Sequence, residues 1–254
     1  MHPAHPLPSQ KVTFGAGVSN NFVLGGADRA IDRARATTVP EGIPQQDEYQ
    51  DYVEGAIVHA LAAPGLAPWV GSRVGLGYDT EGGLTFTGRA VRVDARHAFT
   101  TQRLALSIGL GATAILSRQA SESTAARDVP GVNTQGVTGW GLDIPVIVGW
   151  RSDADLVQVW AGVRAGHERL SGDVVLRARA LPAGEVEERA ALSAQRWQGG
   201  GLVGLAVGVR PFWVGVELDA AYQRYGGKLA WANTGEVEAE GFTLTPTGAV
   251  VGKF

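Results

Sequence analysis

Apolar residues recur at every second position through long stretches of this chain, and this alternation restricts the fold more than any other feature. Along 135–151, the even-numbered positions from 140 to 150 carry only apolar side chains, namely Trp140, Leu142, Ile144, Val146, Val148 and Trp150. Successive side chains of a β-strand point to opposite faces, so a period of two predicts strands with one apolar face. No apolar run reaches the roughly 18 residues that a membrane-spanning helix needs. The chain is therefore expected to be all-β.

The alternation predicts ten strands, with eight or twelve as the alternatives. They are placed at 11–20, 52–62, 67–79, 83–95, 102–117, 135–151, 155–169, 190–210, 212–226 and 239–254. We expect one domain over 11–254, an antiparallel up-and-down β-barrel, preceded by a flexible N-terminal segment at 1–10. A short solvated helix at 27–36 is predicted from its alanine and arginine content.

The links between these strands sort by length. Those after the second, fourth, sixth and eighth strands are short, at 63–66, 96–101, 152–154 and Pro211. Those after the first, fifth, seventh and ninth are longer, at 21–51, 118–134, 170–189 and 227–238, and only the short link at 80–82 breaks the pattern. Short turns at one end, long loops at the other and an even strand number are typical of transmembrane barrels. A projecting hairpin is predicted around 173–196, because alternation continues there.

Aromatic residues on the apolar faces have a spacing that fits a bilayer. Trp140 and Trp150 share a face ten residues apart, as do Phe212 and Tyr222, and Phe242 and Phe254 frame the last strand similarly. Ten residues rising about 3.3 Å each, in a strand tilted by about 40°, cover about 25 Å, the height of a lipid-facing apolar band. We therefore predict that these six residues form aromatic girdles, which a soluble barrel has no reason to contain.

The opposite face carries glycine, alanine and threonine with isolated charges. An arginine facing lipid near the midplane would cost about 2–4 kcal/mol, so these charges are expected to point inward and pair. The predicted lumen network consists of Arg73, Arg89, Asp143, Arg164, Arg196, Glu217 and Asp219, with Glu54 and Glu168 as further acids. When alternate positions are assigned to the outward and inward faces in this way, His59 and Arg92 fall on the outward face. The network either plugs a narrow lumen or sets the selectivity of a polar conduit.

The last strand runs from Gly241 to Phe254 and ends on an aromatic residue. It resembles the C-terminal signature that bacterial outer-membrane β-barrel proteins present to their barrel-assembly machinery. This resemblance covers one strand and indicates no specific family. It implies an outer-membrane location, contact with lipid and lipopolysaccharide, and recognition by the assembly machinery through the last strand. Residues 1–10 lack an apolar leader, so an export signal is expected to have been removed from this sequence.

Composition and motifs exclude several kinds of function. With 22 basic and 25 acidic residues, the chain has no nucleic-acid-binding charge pattern. The absence of cysteine excludes disulfides, thiolate metal sites and cysteine nucleophiles. No metal-spaced histidine cluster, P-loop or nucleophile elbow is present, and no cofactor is expected. The one catalytic candidate is His167 with Glu168, near Ser171 and Asp173, although a single histidine beside acids is usually a surface residue.

These patterns predict a non-enzymatic outer-membrane barrel that serves as a structural or surface-binding scaffold. The hairpin around 173–196 and the loop at 21–51 would contact an extracellular or envelope protein. The alternative is a small-solute or ion pore with a charged lumen, and a hydrolase at the barrel rim is the third hypothesis.

Overall fold

The computed structural model describes residues 3–37, 49–116, 129, 132–180, 184–230 and 235–254, with the backbone alone at 135, 177–180 and 184–188. Within these residues, ten antiparallel strands form a closed barrel in which β10 pairs with β1. The strands are β1 Val12–Leu24, β2 Gly65–Gly77, β3 Thr80–Phe86, β4 Ala90–Thr100, β5 Leu104–Ile115, β6 Val132–Arg151, β7 Val157–Ala180, β8 Gly184–Val209, β9 Phe212–Leu229 and β10 Val237–Lys253. The predicted fold class is confirmed.

The period of two is visible directly in the barrel wall. In β9, exposed and buried residues alternate without interruption from Phe212 to Tyr225. Closure gives every strand two hydrogen-bonded neighbours, so the sheet has no edge strand. A bilayer requires this, because lipid offers no partner to a free N–H or C=O group.

Both chain ends and four tight connections lie at one end of the barrel, which we call the terminal end. These connections are 78–79, 101–103, 152–156 and 210–211. The opposite end, the loop end, carries the connections 25–64, 87–89, 116–131, 181–183 and 230–236. The connections of the terminal end are all short, and those predicted at 152–154 and Pro211 lie there, whereas the predicted turn at 63–66 is wrong because it lies at the loop end between α2 and β2. The predicted link at 80–82 lies within β3, and the connections of the loop end vary widely in length.

The predicted strand at 52–62 is wrong, because this segment belongs to a helix, α2, spanning Tyr49–Ala62. Its residues from Gly55 to Ala62 are all buried. An element that is buried on every side shows no alternation and no polar face, so periodicity cannot separate helix from strand. A second helix, α1, spans Gly26–Ala36 and contains the predicted helix at 27–36. It is not merely solvated, since Ala27, Ala30, Ile31 and Ala34 are buried.

The predicted strand at 83–95 is also wrong, because β3 and β4 are separate strands joined by the turn 87–89. The turn shifts the parity of the inward positions, so Arg92 points inward rather than toward lipid. The predicted turn at 96–101 is mostly strand, since β4 continues to Thr100. The predicted number of ten strands is nevertheless correct, because one predicted strand is a helix and another is two strands.

The two helices pack against each other inside the loop end of the barrel. They contact β1, β8, β9 and β10, and we refer to α1 and α2 together as the helical plug. Ile57 and Leu61 of α2 are fully buried in an apolar cluster that includes inward side chains from across the barrel wall. The wall residues of this cluster are Val23, Ala90, Ile115, Val137, Leu170, Val174, Leu176, Ala190, Leu192, Ala194, Tyr225, Leu229 and Val237.

Strands β6 to β9 are longer than a bilayer requires. The strands β7 and β8 have 24 and 26 residues and pair continuously as far as Ala180 and Gly184. About 9–11 residues of a tilted strand suffice to cross the hydrocarbon core. The rest of these two strands therefore extends past the membrane at the loop end, in the region of the hairpin predicted around 173–196.

Candidate functional site in the barrel lumen

The outer surface of the barrel is an apolar belt bounded by aromatic side chains. All six predicted girdle residues point outward and are 39% to 61% exposed. Trp150, Phe212 and Phe254 lie toward the terminal end, and Trp140, Tyr222 and Phe242 toward the loop end. The sequence prediction missed other outward aromatic residues, among them Phe14, Tyr78, Phe86, Phe99 and Trp197. Outward aromatic side chains near both ends of the strands are the arrangement expected of the girdles of a membrane-spanning barrel.

A chain of alternating charges crosses the interior from β2 to β6. Arg73 contacts Glu81 and Asp94, and Arg96 reaches the same Glu81 with Nε to Oε1 at 2.6 Å. Arg92 bridges Asp94 and Asp143, with both of its bonds to Asp143 at 2.9 Å. We call these six residues the charge chain. Its three guanidinium groups and three carboxylates balance, as buried charges must if they are to remain ionised.

Two further polar groups lie on the β7–β10 side. Arg164 Nη2 is 2.7 Å from Asp219 Oδ2, and the indole N–H of Trp160 donates to Glu217 Oε2 at 2.7 Å. Nearer the loop end, Arg196 contacts Glu168 at 2.6 Å and donates to Gln223 Oε1 at 3.1 Å. The guanidinium group of each of these two arginines therefore has a carboxylate partner.

The predicted network residues do not form one cluster. Arg73 and Asp143 belong to the charge chain, Arg164 pairs with Asp219 beside Glu217, and Arg196 pairs with Glu168. Arg89 was expected on a strand of the wall, and this is wrong, because the residue lies in the turn 87–89. It is close enough to Glu168 for an electrostatic interaction. Glu54 lies on the helical plug, where it accepts a hydrogen bond from Arg33.

Sequence reasoning missed four members of the charge chain. Glu81 and Arg96 were assigned to turns, Arg92 to the outward face, and Asp94 to no role. The alternation of arginine and aspartate over 92–96 indicates inward, paired charges, but only once the turn at 87–89 is recognised.

An internal cavity of about 550 Å³ occupies the terminal half of the barrel. Its lining extends from exposed rim residues such as Arg210 and Phe254 to Thr85 and Thr87 near the turn 87–89. Three tryptophans, Trp69, Trp160 and Trp213, contribute to its wall. The lumen is therefore not packed solid, although α1 and α2 close it on the side of β8 to β1.

Residues 3–10, predicted as a flexible segment, lie inside the mouth of this cavity. The Leu7 amide donates to Glu81 Oε2 at 2.9 Å, and the Gln10 amide donates to the Gly75 carbonyl at 2.9 Å. Ala4 is buried beside Trp160 and Trp213. Burial, together with the positive charges of Arg151 and Lys253, lowers the pKa of His5 from 6.5 to about 4. The imidazole is therefore neutral at pH 7.

The catalytic candidate is divided by the barrel wall. The His167 ring points outward and lies between two indoles, 5.6 Å from the Trp140 ring and 4.2 Å from the Trp197 ring. Glu168 points inward to Arg196. Neighbouring residues of a strand face opposite sides, so these two side chains cannot act on one substrate. Ser171 and Asp173 lie on the outward side with His167.

Among the described residues, no group of three or more histidines and acids is arranged to hold a metal ion. In the same part of the chain, neither helix is long and apolar enough to cross a membrane.

No protein-family model matches the chain, and no curated protein matches it. Similar solved structures include Neisserial surface protein A, with 13% identity, coverage of 96% of both chains and a TM-score of 0.33. The toluene transporter TbuX of Ralstonia pickettii has 9% identity, covers 97% of this chain and 89% of its own, and has a TM-score of 0.40. The attachment invasion locus protein Ail of Yersinia pestis, solved with a heparin analogue, has 10% identity, coverage of 97% and 99%, and a TM-score of 0.27.

At these scores the likenesses carry no information on ligand or activity. The closed wall, the apolar belt and the two girdles are features of the chain itself. The chain has the architecture of a transmembrane β-barrel, a closed antiparallel wall with an apolar outer surface.

Proposed function

We propose that this barrel is a plugged, non-enzymatic scaffold that displays a rigid surface outside the cell. The helical plug is the observation that carries the proposal. Val53, Ile57, Val58 and Leu61 are fully buried within the loop end. Burying such side chains favours the seated state by about 1.5–3 kcal/mol each, so the plug is a packed part of the barrel rather than a loose loop.

Polar contacts support a fixed position for the plug. The Asn21 side chain of β1 donates to the carbonyl of Ala62 at the end of α2. Thr245 of β10 donates to Asn21 Oδ1 at 3.0 Å. The end of α2 is thus joined to two neighbouring wall strands, which supports a plug that does not swing out.

The projecting part of β7 and β8 is the surface that we propose for partner binding. In outer-membrane barrels the short turns face the periplasm and the longer connections face outside. By that rule the terminal end is periplasmic and the hairpin around 173–196 reaches outward, whereas α1 and α2 of the connection 25–64, part of the expected contact loop 21–51, pack against the inner wall. An extracellular or envelope protein is the partner class that a projecting two-stranded hairpin suits, through backbone pairing or side-chain contacts along its strands.

Lipopolysaccharide is the lipid partner that we propose for the loop-end rim. Arg224 lies directly opposite Trp197 in the β8–β9 register, and Arg169 lies opposite Trp140 in the β6–β7 register. Both arginines are exposed at the level of the loop-end girdle. Arginine at this height suits the phosphates of an anionic glycolipid. The last strand, ending at Phe254, is the part proposed to meet the assembly machinery.

Planar-bilayer recording tests the plugged barrel. We expect the purified, refolded protein to give no discrete openings above the bilayer background. A refolded sample that migrates differently in boiled and unboiled gel lanes serves as the folding control. Reproducible unitary openings from such a sample would contradict the scaffold.

A small-solute pore is the second candidate, and one feature favours it. The cavity lining includes Thr85 and Thr87 beside the turn 87–89, on the side of the wall where β3 has only 7 residues. A path along β2–β4 would bypass the helical plug. Openings whose conductance changes with Thr87→Trp would favour this pore over the scaffold.

A further inference from the structure

The cavity of the terminal half has the size and access of a ligand site. Its volume of about 550 Å³ falls within the roughly 300–1,000 Å³ of small-molecule pockets. Its lining reaches the terminal rim, where the Arg210 side chain is 81% exposed. Solutes on the terminal side of the membrane can therefore reach it without passing the helical plug.

The lining carries a surplus of positive charge. Eight cationic side chains and four carboxylates line it, namely Lys11, Arg73, Arg92, Arg96, Arg151, Arg164, Arg210 and Lys253 against Glu81, Asp155, Glu217 and Asp219. The arginines deeper in the cavity pair with acids of the charge chain or with Asp219. The surplus therefore lies at the mouth, where Lys11, Arg151, Arg210 and Lys253 face one acid, Asp155.

Three buried polar groups of the lining lack hydrogen-bond partners among the described residues. They are the indole N–H of Trp213, the Nη1 group of Arg96 and Nε2 of His5. All three side chains are more than nine-tenths buried. Trp160 offers the contrast, since its indole N–H is satisfied by Glu217. Burying a donor without an acceptor is unfavourable, so Trp213 and Arg96 are set to receive an acceptor from a ligand.

One of these donors lies beside an unneutralised cation. The Lys253 ammonium is 3.8 Å from the centroid of the Trp213 ring. Within the described residues Lys253 has no carboxylate within ion-pair distance. The low pKa of His5, caused by burial and by Arg151 and Lys253, agrees with a positive field at this place. A lysine, an arginine and an indole N–H converging on one cavity suit an oxyanion.

The remaining wall contains an apolar, aromatic part beside hydroxyl side chains such as Thr245 and Thr247. Trp69, Trp160 and Trp213 lie in it with Ala206 and Val251. A fully hydrated inorganic anion would leave these surfaces unused, whereas a flat hydrocarbon body would cover them.

We infer that the cavity binds a small organic anion with an apolar body, entering from the terminal end. Its carboxylate, sulfonate or phosphate group contacts Lys253, Arg151 and the Trp213 N–H, and its apolar body lies against the tryptophan wall. This site is independent of whether the barrel conducts.

Calorimetric titration of the refolded protein in detergent tests this site. The probes are 2-naphthalenesulfonate and its uncharged analogue 2-naphthalenemethanol, each corrected for binding to empty micelles. We expect saturable 1:1 binding of the sulfonate and at least tenfold weaker binding of the alcohol. Lys253→Met and Trp213→Phe should each weaken sulfonate binding about tenfold, since each removes one contact to a charged group.

Lys228→Met is the matched control, because it removes one exposed lysine charge at the opposite end of the barrel. Its affinity for the sulfonate should equal that of the wild type. If Lys253→Met does not fold, as judged by gel migration, Lys11→Met at the exposed mouth replaces it, with an expected loss of about threefold. Equal binding of sulfonate and alcohol, unchanged binding by the mouth variants, or no saturable binding would each overturn the inference.

Discussion

Replacing Gly55 by leucine should unseat the helical plug and convert a silent barrel into a conducting one. A Cβ at this position would overlap both the Cβ of Ala34 and the backbone oxygen of Ala30. Both atoms belong to α1, and a backbone oxygen cannot move aside as a flexible side chain can. Overpacking of this kind costs about 1–3 kcal/mol, and the two helices can avoid it only by separating.

The measurement is release of a small solute from liposomes, together with bilayer recording. We expect solute release at least tenfold faster than from wild-type liposomes, with unitary openings that the wild type lacks. Gln50→Leu is the matched control, because it places the same side chain on α2 at an exposed position. A Gly55→Leu barrel that folds and remains as tight as the wild type would contradict a plug held by this contact.

Replacing Arg92 by methionine should cause the largest loss of stability among single changes in the lumen. The variant would leave Asp143 without its two bonds of 2.9 Å and weaken the neutralisation of Asp94. Removing one partner of a buried ion pair costs about 3–5 kcal/mol, because the other charge stays buried. Urea unfolding in lipid vesicles measures this loss as a decrease in the free energy of unfolding.

Two comparisons make the test specific to the charge chain. Arg103→Met breaks the exposed pair with Asp153 and should cost at most about 1 kcal/mol. The double variant Arg92→Met, Asp143→Leu removes both partners and should recover much of the loss. Equal destabilisation by Arg92→Met and Arg103→Met would refute a buried, interdependent charge chain.

The barrel wall could be predicted from sequence because its constraint is local. In β9 each residue from Phe212 to Tyr225 faces either lipid or lumen, and its chemistry follows that choice. The girdle residues and the inward direction of Arg164, Asp143 and Asp219 follow from the same alternation. Lipid contact makes this alternation strict, because a charge on the outer face destabilises the folded barrel.

The contents of the lumen could not be predicted in the same way. The plug residues Gly55 to Ala62 are apolar except for His59, and only the surrounding barrel decides that they are a helix rather than a strand. The turn 87–89 has no strong turn signal besides Gly88, and missing it reversed the direction of Arg92. The burial of Ala4 depends on Trp160 and Trp213, which are distant in sequence. The cavity depends on the plug, on the turn 87–89 and on the burial of the N-terminal segment, so it could not be predicted from the sequence either.

The seated helical plug is the central claim, and hydrogen exchange of the protein in lipid nanodiscs tests it most directly. Backbone amides from Val53 to Ala62 should exchange as slowly as those in the middle of β9, because the segment is packed inside the barrel. Complete exchange of these amides within seconds, while the β9 amides remain protected, would contradict a barrel closed by its own helices.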